Sequence, residues 1–263
     1  MGVKTNITLT KLKQLFPSYD FLEIIPTTTG IMDTTYIINT QTNSYILKRY
    51  ERDILVKILK SAKFLDELKC VGLNVSTLLE KRDGWYIYSK LKGQEPKQIK
   101  TFHIQALARF LSKMHNYTYK KSITNIFVKP KEIKKMLKAI KITKYSLYKK
   151  YTSLQKISFK NDGIIHGDIF KDNTVFDNLK IGVFDFSDSG DGSFAFDAGI
   201  ALFGFGINTK NTLLINLFLK GYNQLSIRKI TIQELQKNIE LASKFYTLKR
   251  VYRDLPFSIT QRF

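Results

Sequence analysis

The sequence predicts an α+β fold in two lobes: a small antiparallel-sheet lobe with one helix, then a mainly helical lobe. Three observations predict it. Residues 20–90 hold several short runs of strand character, interrupted once by a helical stretch. From Phe102 onward the apolar residues recur mostly at helical spacing. Between Gly163 and Asp185 two short apolar runs break that spacing, and each ends on an aspartate. The boundary is expected at residues 1–90 and 91–263, with a hinge near 89–93. A chain of 263 residues is long enough for both lobes to bury a core.

In chain order, Leu9, Leu12, Leu15 and Phe16 have the spacing of a short helix that stops before Pro17. Strands are expected at Phe21–Pro26, Tyr36–Asn39 and Ser44–Tyr50. The first two flank a threonine-rich turn, residues 27–35, that contains Gly30. Residues 54–70 read as an amphipathic helix with Leu55, Leu59, Ala62, Leu65 and Leu68 on one side, stopped at Gly72. Two further strands, Ser76–Glu80 and Trp85–Lys90, join through Arg82-Asp83-Gly84. Phe102 to His115 is strongly helical. Residues 120–160 are lysine-rich and read as helical, and the chain from Phe196 onward reads as helix.

Composition excludes several classes. At 43% hydrophobic and 25% charged residues the chain is too apolar for general disorder. The single cysteine, Cys70, excludes an internal disulfide, and no Cys/His cluster has zinc spacing. The longest apolar stretch, Ala198 to Ile207, is about half of what a membrane span requires. With no apolar signal core at the N-terminus, a cytoplasmic protein without a membrane partner is expected. The net charge of +21 invites an anionic partner, yet the basic residues are mostly lysine and widely spread. A solvated surface therefore explains them better than nucleic-acid binding.

The chemistry concentrates in His166-Gly-Asp168-Ile-Phe-Lys-Asp-Asn173, followed by Val183-Phe184-Asp185-Phe186. Phosphoryl transfer needs a carboxylate to orient the attacking hydroxyl, and oxygen ligands to hold Mg²⁺ against the phosphates. The kinase template supplies these as D-x-x-x-x-N and then a second aspartate one strand later. Asp168 is accordingly the candidate catalytic carboxylate. Asn173 and Asp185 are the candidate Mg²⁺ ligands, and His166 braces the loop. The template is incomplete. Asp185-Phe186-Ser187 lacks the glycine of D-F-G, the 27–35 turn holds only Gly30, and no Walker A motif is present. Backbone amides around Gly30 remain candidates for covering phosphates.

These motifs, with Asp197 opening a later helix in Phe196-Asp-Ala-Gly, resemble the aminoglycoside phosphotransferase and choline kinase superfamily. The resemblance implies a protein-kinase-like fold and ATP-dependent phosphorylation of small-molecule hydroxyls. Within the superfamily, His166-Gly-Asp-Ile-Phe-Lys-Asp-Asn-Thr-Val-Phe-Asp177 is similar to HGDLFRDNVLFD of the bacterial type II homoserine kinases, enzymes of threonine biosynthesis. Ser44–Glu51 and Leu107–His115 resemble further superfamily segments. Lys48 stands where the superfamily has its phosphate-contacting lysine, although homoserine kinases often have threonine there. The resemblance implies ATP in the cleft between lobes, beside Tyr88–Lys90, and Asp197 supporting the catalytic loop. Either Asp66 or Glu67 is a candidate acid for Lys48.

Homoserine, a zwitterion, needs a cation for its carboxylate and an acid for its ammonium. Arg250 and Arg253 resemble arginines at the corresponding end of homoserine kinases, and Asp188 is the candidate acid. Polycationic aminoglycosides are disfavoured, because residues 93–160 offer only Glu95 and Glu132. Choline would need an aromatic cage; the only tryptophan, Trp85, lies in the first lobe, but nineteen phenylalanines and fourteen tyrosines keep a choline or ethanolamine kinase open. Another small hydroxylated acceptor stays open, as does a non-catalytic polyanion-binding role for the thirteen lysines between Lys120 and Lys160. A monomer or homodimer is expected.

Overall fold

The computed structural model describes residues 3–27, 33–51, 55–156 and 160–255. It divides into two compact units. The first comprises Met1–Gly93 with Gly182–Ser187, and the second comprises Gln94–Ile181 with Asp188–Phe263.

The first unit opens with α1 (Leu9–Leu15), whose Thr8 side chain caps the amide of Lys11 at 3.2 Å. Five strands then pair antiparallel in the order β1-β2-β3-β5-β4, an α+β arrangement as the sequence predicts. They are β1 (Phe21–Pro26), β2 (Thr34–Thr40), β3 (Ser44–Arg49), β4 (Leu78–Arg82) and β5 (Trp85–Ser89). The helix α2 (Leu55–Cys70) lies between β3 and β4 in sequence. The period-2 alternation of strands sorts their side chains onto two faces. Leu47, Trp85 and Ile87 pack with Leu12 and Phe16 on one face. Tyr86 and Tyr88 pack with Ile58 of α2 on the other, beside Ile46 and Tyr50. Lys48 lies between Ile46 and Tyr50 and therefore projects from that second face.

The buried face of α2 includes Ile58, Phe64, Leu65 and Leu68, while Ala62 is only partly covered. This stripe is broader than the expected leucine row. The side chains of Leu55 and Leu59 lie outside the described residues, as does Gly30. Segment 182–187 joins this unit because Val183 donates to the carbonyl of Asn74 at 3.0 Å and Phe186 stacks edge-on with Phe64.

The second unit is mainly helical. It contains α3 (Thr101–Thr118), α4 (Pro130–Thr143), α5 (Tyr145–Tyr151), α6 (Phe194–Gly204), α7 (Thr212–Leu225) and α8 (Ile232–Arg253). Short strands punctuate them: β6 (Gly163–Ile165) pairs with β9 (Gly190–Gly192), and β7 (Thr174–Asp177) with β8 (Lys180–Val183). Residues 120–129 are not helical, so only part of the lysine-rich stretch matches expectation. Helix α6 is buried on all sides from Phe194 to Leu202. Gly199 allows this: a Cβ there would lie 2.6 Å from the backbone of Asn238, so α6 and α8 touch backbone to backbone.

Candidate active site

In the second unit, β6 delivers the chain into the loop that carries Asp168. Gly167 turns this loop at φ +79°, and a Cβ there would sit 2.1 Å from the ring of Phe127. The loop backbone is pinned by Asp197. Its carboxylate accepts the amides of His166 at 3.0 Å and Gly167 at 2.8 Å, and it lies 3.1 Å from Nε2 of His115. His115 reaches the hydroxyl of Tyr222 with Nδ1 at 2.7 Å and stacks flat on Phe194. Burial alone would raise the pKa of Asp197. The hydrogen bond and charge of His115, with the amide of Gly167, more than offset this and hold it below the ordinary aspartate value.

His166 is fully buried, and its Nδ1 accepts the amide of Asp168 at 3.1 Å. Asn173, at the end of a single 3-10 turn, donates Nδ2 to the backbone carbonyl of Asp168 at 2.8 Å and to its Oδ2 at 3.1 Å. Two residues five positions apart are thus brought into one rigid loop. Tyr246 of α8 closes it from the far side, with its hydroxyl donating to the carbonyl of Gly167. Burial and the charge of Asp168 push the Tyr246 phenol well above its ordinary pKa, so it stays a donor.

In the first unit, Lys48 pairs with Asp185, Nζ to Oδ2 at 2.8 Å. Neither Asp66 nor Glu67 is needed to explain this lysine. Burial pulls its pKa down, and the charge of Asp185 reverses the shift, so the ammonium is held. Asp185 itself sits at φ +62°, a left-handed conformation that aspartate tolerates better than most residues. Tyr50 stands beside the pair, its ring 5.4 Å from the ammonium and its hydroxyl 2.9 Å from that of Tyr88. Burial raises both phenols, and Asp185 adds to the effect at Tyr50. The side chain of Tyr88 is therefore engaged in the sheet face, and Lys90 is exposed.

Arg250 and Arg253 are exposed on the last turns of α8. The cation that reaches Asp188 is instead Lys249, at 3.6 Å. Sequence reading had no signal for Tyr246, Lys249 or Tyr222, because each acts through a tertiary contact and none lies in a motif; Tyr50 lies within the Ser44–Glu51 segment, but its place beside Lys48 is a tertiary contact too.

Among the described residues, no group of three His, Cys, Asp or Glu side chains is placed to hold a metal ion. Mg²⁺ takes hard oxygen donors, commonly one or two carboxylates, with phosphate and water oxygens completing its shell. The carboxylate of Asp185 and the amide oxygen of Asn173 are hard donors of that kind.

The model of the phosphotransferase enzyme family matches residues 23–224. The chain belongs to that family. It is a small-molecule phosphotransferase that acts on a hydroxyl acceptor. It is 23% identical to the homoserine kinase of Methylobacillus flagellatus, over 89% of this chain and 81% of that protein. Its fold resembles an ADP-bound aminoglycoside phosphotransferase, with a TM-score of 0.64, 17% identity, and 97% and 95% of the two chains covered. It resembles equally the choline kinase of Streptococcus pneumoniae, with a TM-score of 0.67, 16% identity, and 95% of each chain covered. The expected protein-kinase-like fold is thereby established. The family match stops short of α8, so Tyr246 and Lys249 lie outside it. No helix among the described residues is long and apolar enough to cross a membrane.

Proposed function

We propose that this phosphotransferase moves the γ-phosphate of ATP to the hydroxyl of L-homoserine in the cytoplasm. The observation that carries the chemistry is the hold of Asn173 on Asp168: its amide donates once to the backbone carbonyl and once to the carboxylate, which ties that side chain to the loop. The acceptor's identity is supported by the homoserine kinase of Methylobacillus flagellatus and its similarity over most of both chains.

Asp168 orients the acceptor hydroxyl and takes its proton as the oxygen attacks phosphorus. Positioned proton transfer of this kind contributes about 10²–10⁴ in rate. Asp197, which accepts the loop's amides, and Tyr246, which donates to its carbonyl, keep the loop from relaxing, so the alignment is present before substrate arrives. Lys48, charged and oriented by Asp185, is the candidate contact for the nucleotide phosphates. Asn173 and Asp185 would hold Mg²⁺, which when bound neutralises charge on the phosphates. The segment around Gly30 and the backbone at Tyr88–Lys90 remain the candidate nucleotide-covering and hinge elements.

The test is ADP release from Mg-ATP by the purified full chain, with L-homoserine, choline, ethanolamine and kanamycin offered singly. Stimulation by homoserine alone is the expected result. Stimulation by choline or kanamycin, with none by homoserine, would overturn the acceptor and leave the phosphotransferase.

A further inference from the structure

We infer that Lys249 and Asp188 form the acceptor's recognition subsite, and that this paired-charge site selects a zwitterionic amino alcohol: Lys249 receives its carboxylate and Asp188 its ammonium. The inference rests on reading Asp168 as the residue that orients the acceptor hydroxyl. It assigns the carboxylate contact to Lys249, the residue just before Arg250 and one turn before Arg253, in place of those exposed arginines.

The route from the catalytic loop to this pair runs along α8. The Tyr246 hydroxyl donates to the Gly167 carbonyl and lies within the electrostatic reach of the Asp168 carboxylate, and its ring packs edge-on against Phe170 at 4.8 Å. Three residues on, Nζ of Lys249 lies 5.1 Å from the Tyr246 ring centre and 5.5 Å from that of Phe245. The same ammonium is 3.6 Å from Oδ2 of Asp188. Asp168, Tyr246, Lys249 and Asp188 therefore form one contiguous series within a single unit.

The pair's geometry suits a ligand better than a structural role. At 3.6 Å the two charges are further apart than a tight charge-assisted hydrogen bond, about 2.8 Å. Both side chains keep more than a third of their surface in solvent, 39% for Lys249 and 35% for Asp188. An exposed pair of this kind contributes about 0–1 kcal/mol, so an incoming ligand can replace it at little cost. A free amino acid carries the same two charges one carbon apart and docks antiparallel on the pair. A polycation would meet Lys249 with like charge, and choline has no carboxylate to offer it.

The spacing also sets a length. From Tyr246 to Lys249 the helix rises about 4.5 Å. A hydroxyl on a short side chain spans that interval, so the acceptor's hydroxyl is expected two or three carbons from the charged end.

The experiment is steady-state kinetics of the wild type, Lys249→Met, Lys249→Arg and Asp188→Asn with Mg-ATP. The acceptors are L-homoserine, L-homoserine amide, 4-hydroxybutyrate, L-serine and 5-hydroxy-L-norvaline. The wild type is expected to prefer homoserine over its amide by at least tenfold in kcat/KM. Lys249→Met should abolish that preference and raise the homoserine KM at least tenfold, with the ATP KM changed less than twofold. Lys249→Arg should restore most of it. Asp188→Asn should erase the preference over 4-hydroxybutyrate. If Lys249→Met turns over homoserine and still prefers the acid to the amide, the subsite is wrong while homoserine phosphorylation stands. If hydroxynorvaline is turned over with the same Lys249 dependence and homoserine is not, the subsite stands and the homoserine assignment falls, whereas turnover of serine alone overturns the subsite's expected length. Turnover of no zwitterion overturns both.

Discussion

Lys48 and Asp185 stand 137 positions apart in the chain, yet Nζ and Oδ2 meet at 2.8 Å. The pair is mostly buried, with 15% and 29% of the side chains exposed. Replacing Lys48 with Met removes the cation that holds a largely desolvated carboxylate. Breaking a fully buried pair costs about 3–5 kcal/mol, and partial exposure here reduces the expected loss to about 1–3 kcal/mol. Urea unfolding measures it. An unchanged midpoint would show that the pair does not support the fold. Activity should fall as well, with the ATP KM rising more than the acceptor KM.

Asn173→Ala deletes both hydrogen bonds to Asp168. A side-chain hydrogen bond to a charged group contributes about 1.5–3 kcal/mol, so kcat should fall by about 10²-fold. The Mg²⁺ concentration needed for half-maximal rate should rise in parallel. Titration of magnesium against initial rate checks both, and a lower kcat with an unmoved magnesium requirement would remove Asn173 from the metal's ligands.

Tyr246→Phe keeps the ring against Phe170 and removes only the hydroxyl. The carbonyl of Gly167 then loses a buried donor, at a cost of about 1–3 kcal/mol. Thermal unfolding should register that loss, and kcat should drop about tenfold with the ATP KM unchanged. A stable variant with full turnover would show that the hydroxyl does not set the loop.

The pH dependence of stability should carry the signature of Asp197. Its pKa in the folded state lies below the ordinary value of 3.8, so the unfolded chain binds its proton first. The stability it contributes is fully present above pH 3.8 and is lost as pH falls through the lower folded value. Asp197→Asn should be less stable at neutral pH, on the order of 3 kcal/mol, because it removes a buried charge that accepts several hydrogen bonds. It should also lose less stability than the wild type between pH 3.8 and pH 2. Parallel acid titrations of the two proteins would contradict the assignment.

Much of the fold was legible. The strands at 21–26, 44–49 and 85–89 were visible because alternation and turn residues act locally. So was the helix at 101–118, whose apolar residues recur at helical spacing. The Asp168 loop was legible for the same reason, since its spacing lies within eight residues. Long-range partners were not. The acid that meets Lys48 had been sought on the neighbouring helix, and Asp185 reaches it only because Val183 bonds to Asn74 and carries the following residues to the sheet. Tyr246 falls in the helical stripe Leu235, Ile239, Ala242 and Tyr246, but nothing local shows that this stripe meets the Asp168 loop, and Lys249 lies outside it. Arg250 and Arg253, singled out by their resemblance to arginines at the corresponding end of homoserine kinases, are exposed on the last turns of α8, and Lys249 beside them carried no such signal.

The most direct test of the central claim is mass-spectrometric detection of phosphorylated homoserine from Mg-ATP, comparing the wild type with Asp168→Asn. The wild type should form O-phosphohomoserine in step with ADP. The variant, folded and still binding ATP, should be slower by at least 10²-fold. Equal product from both proteins would contradict the role of Asp168, and ADP without phosphohomoserine from the wild type would contradict the acceptor.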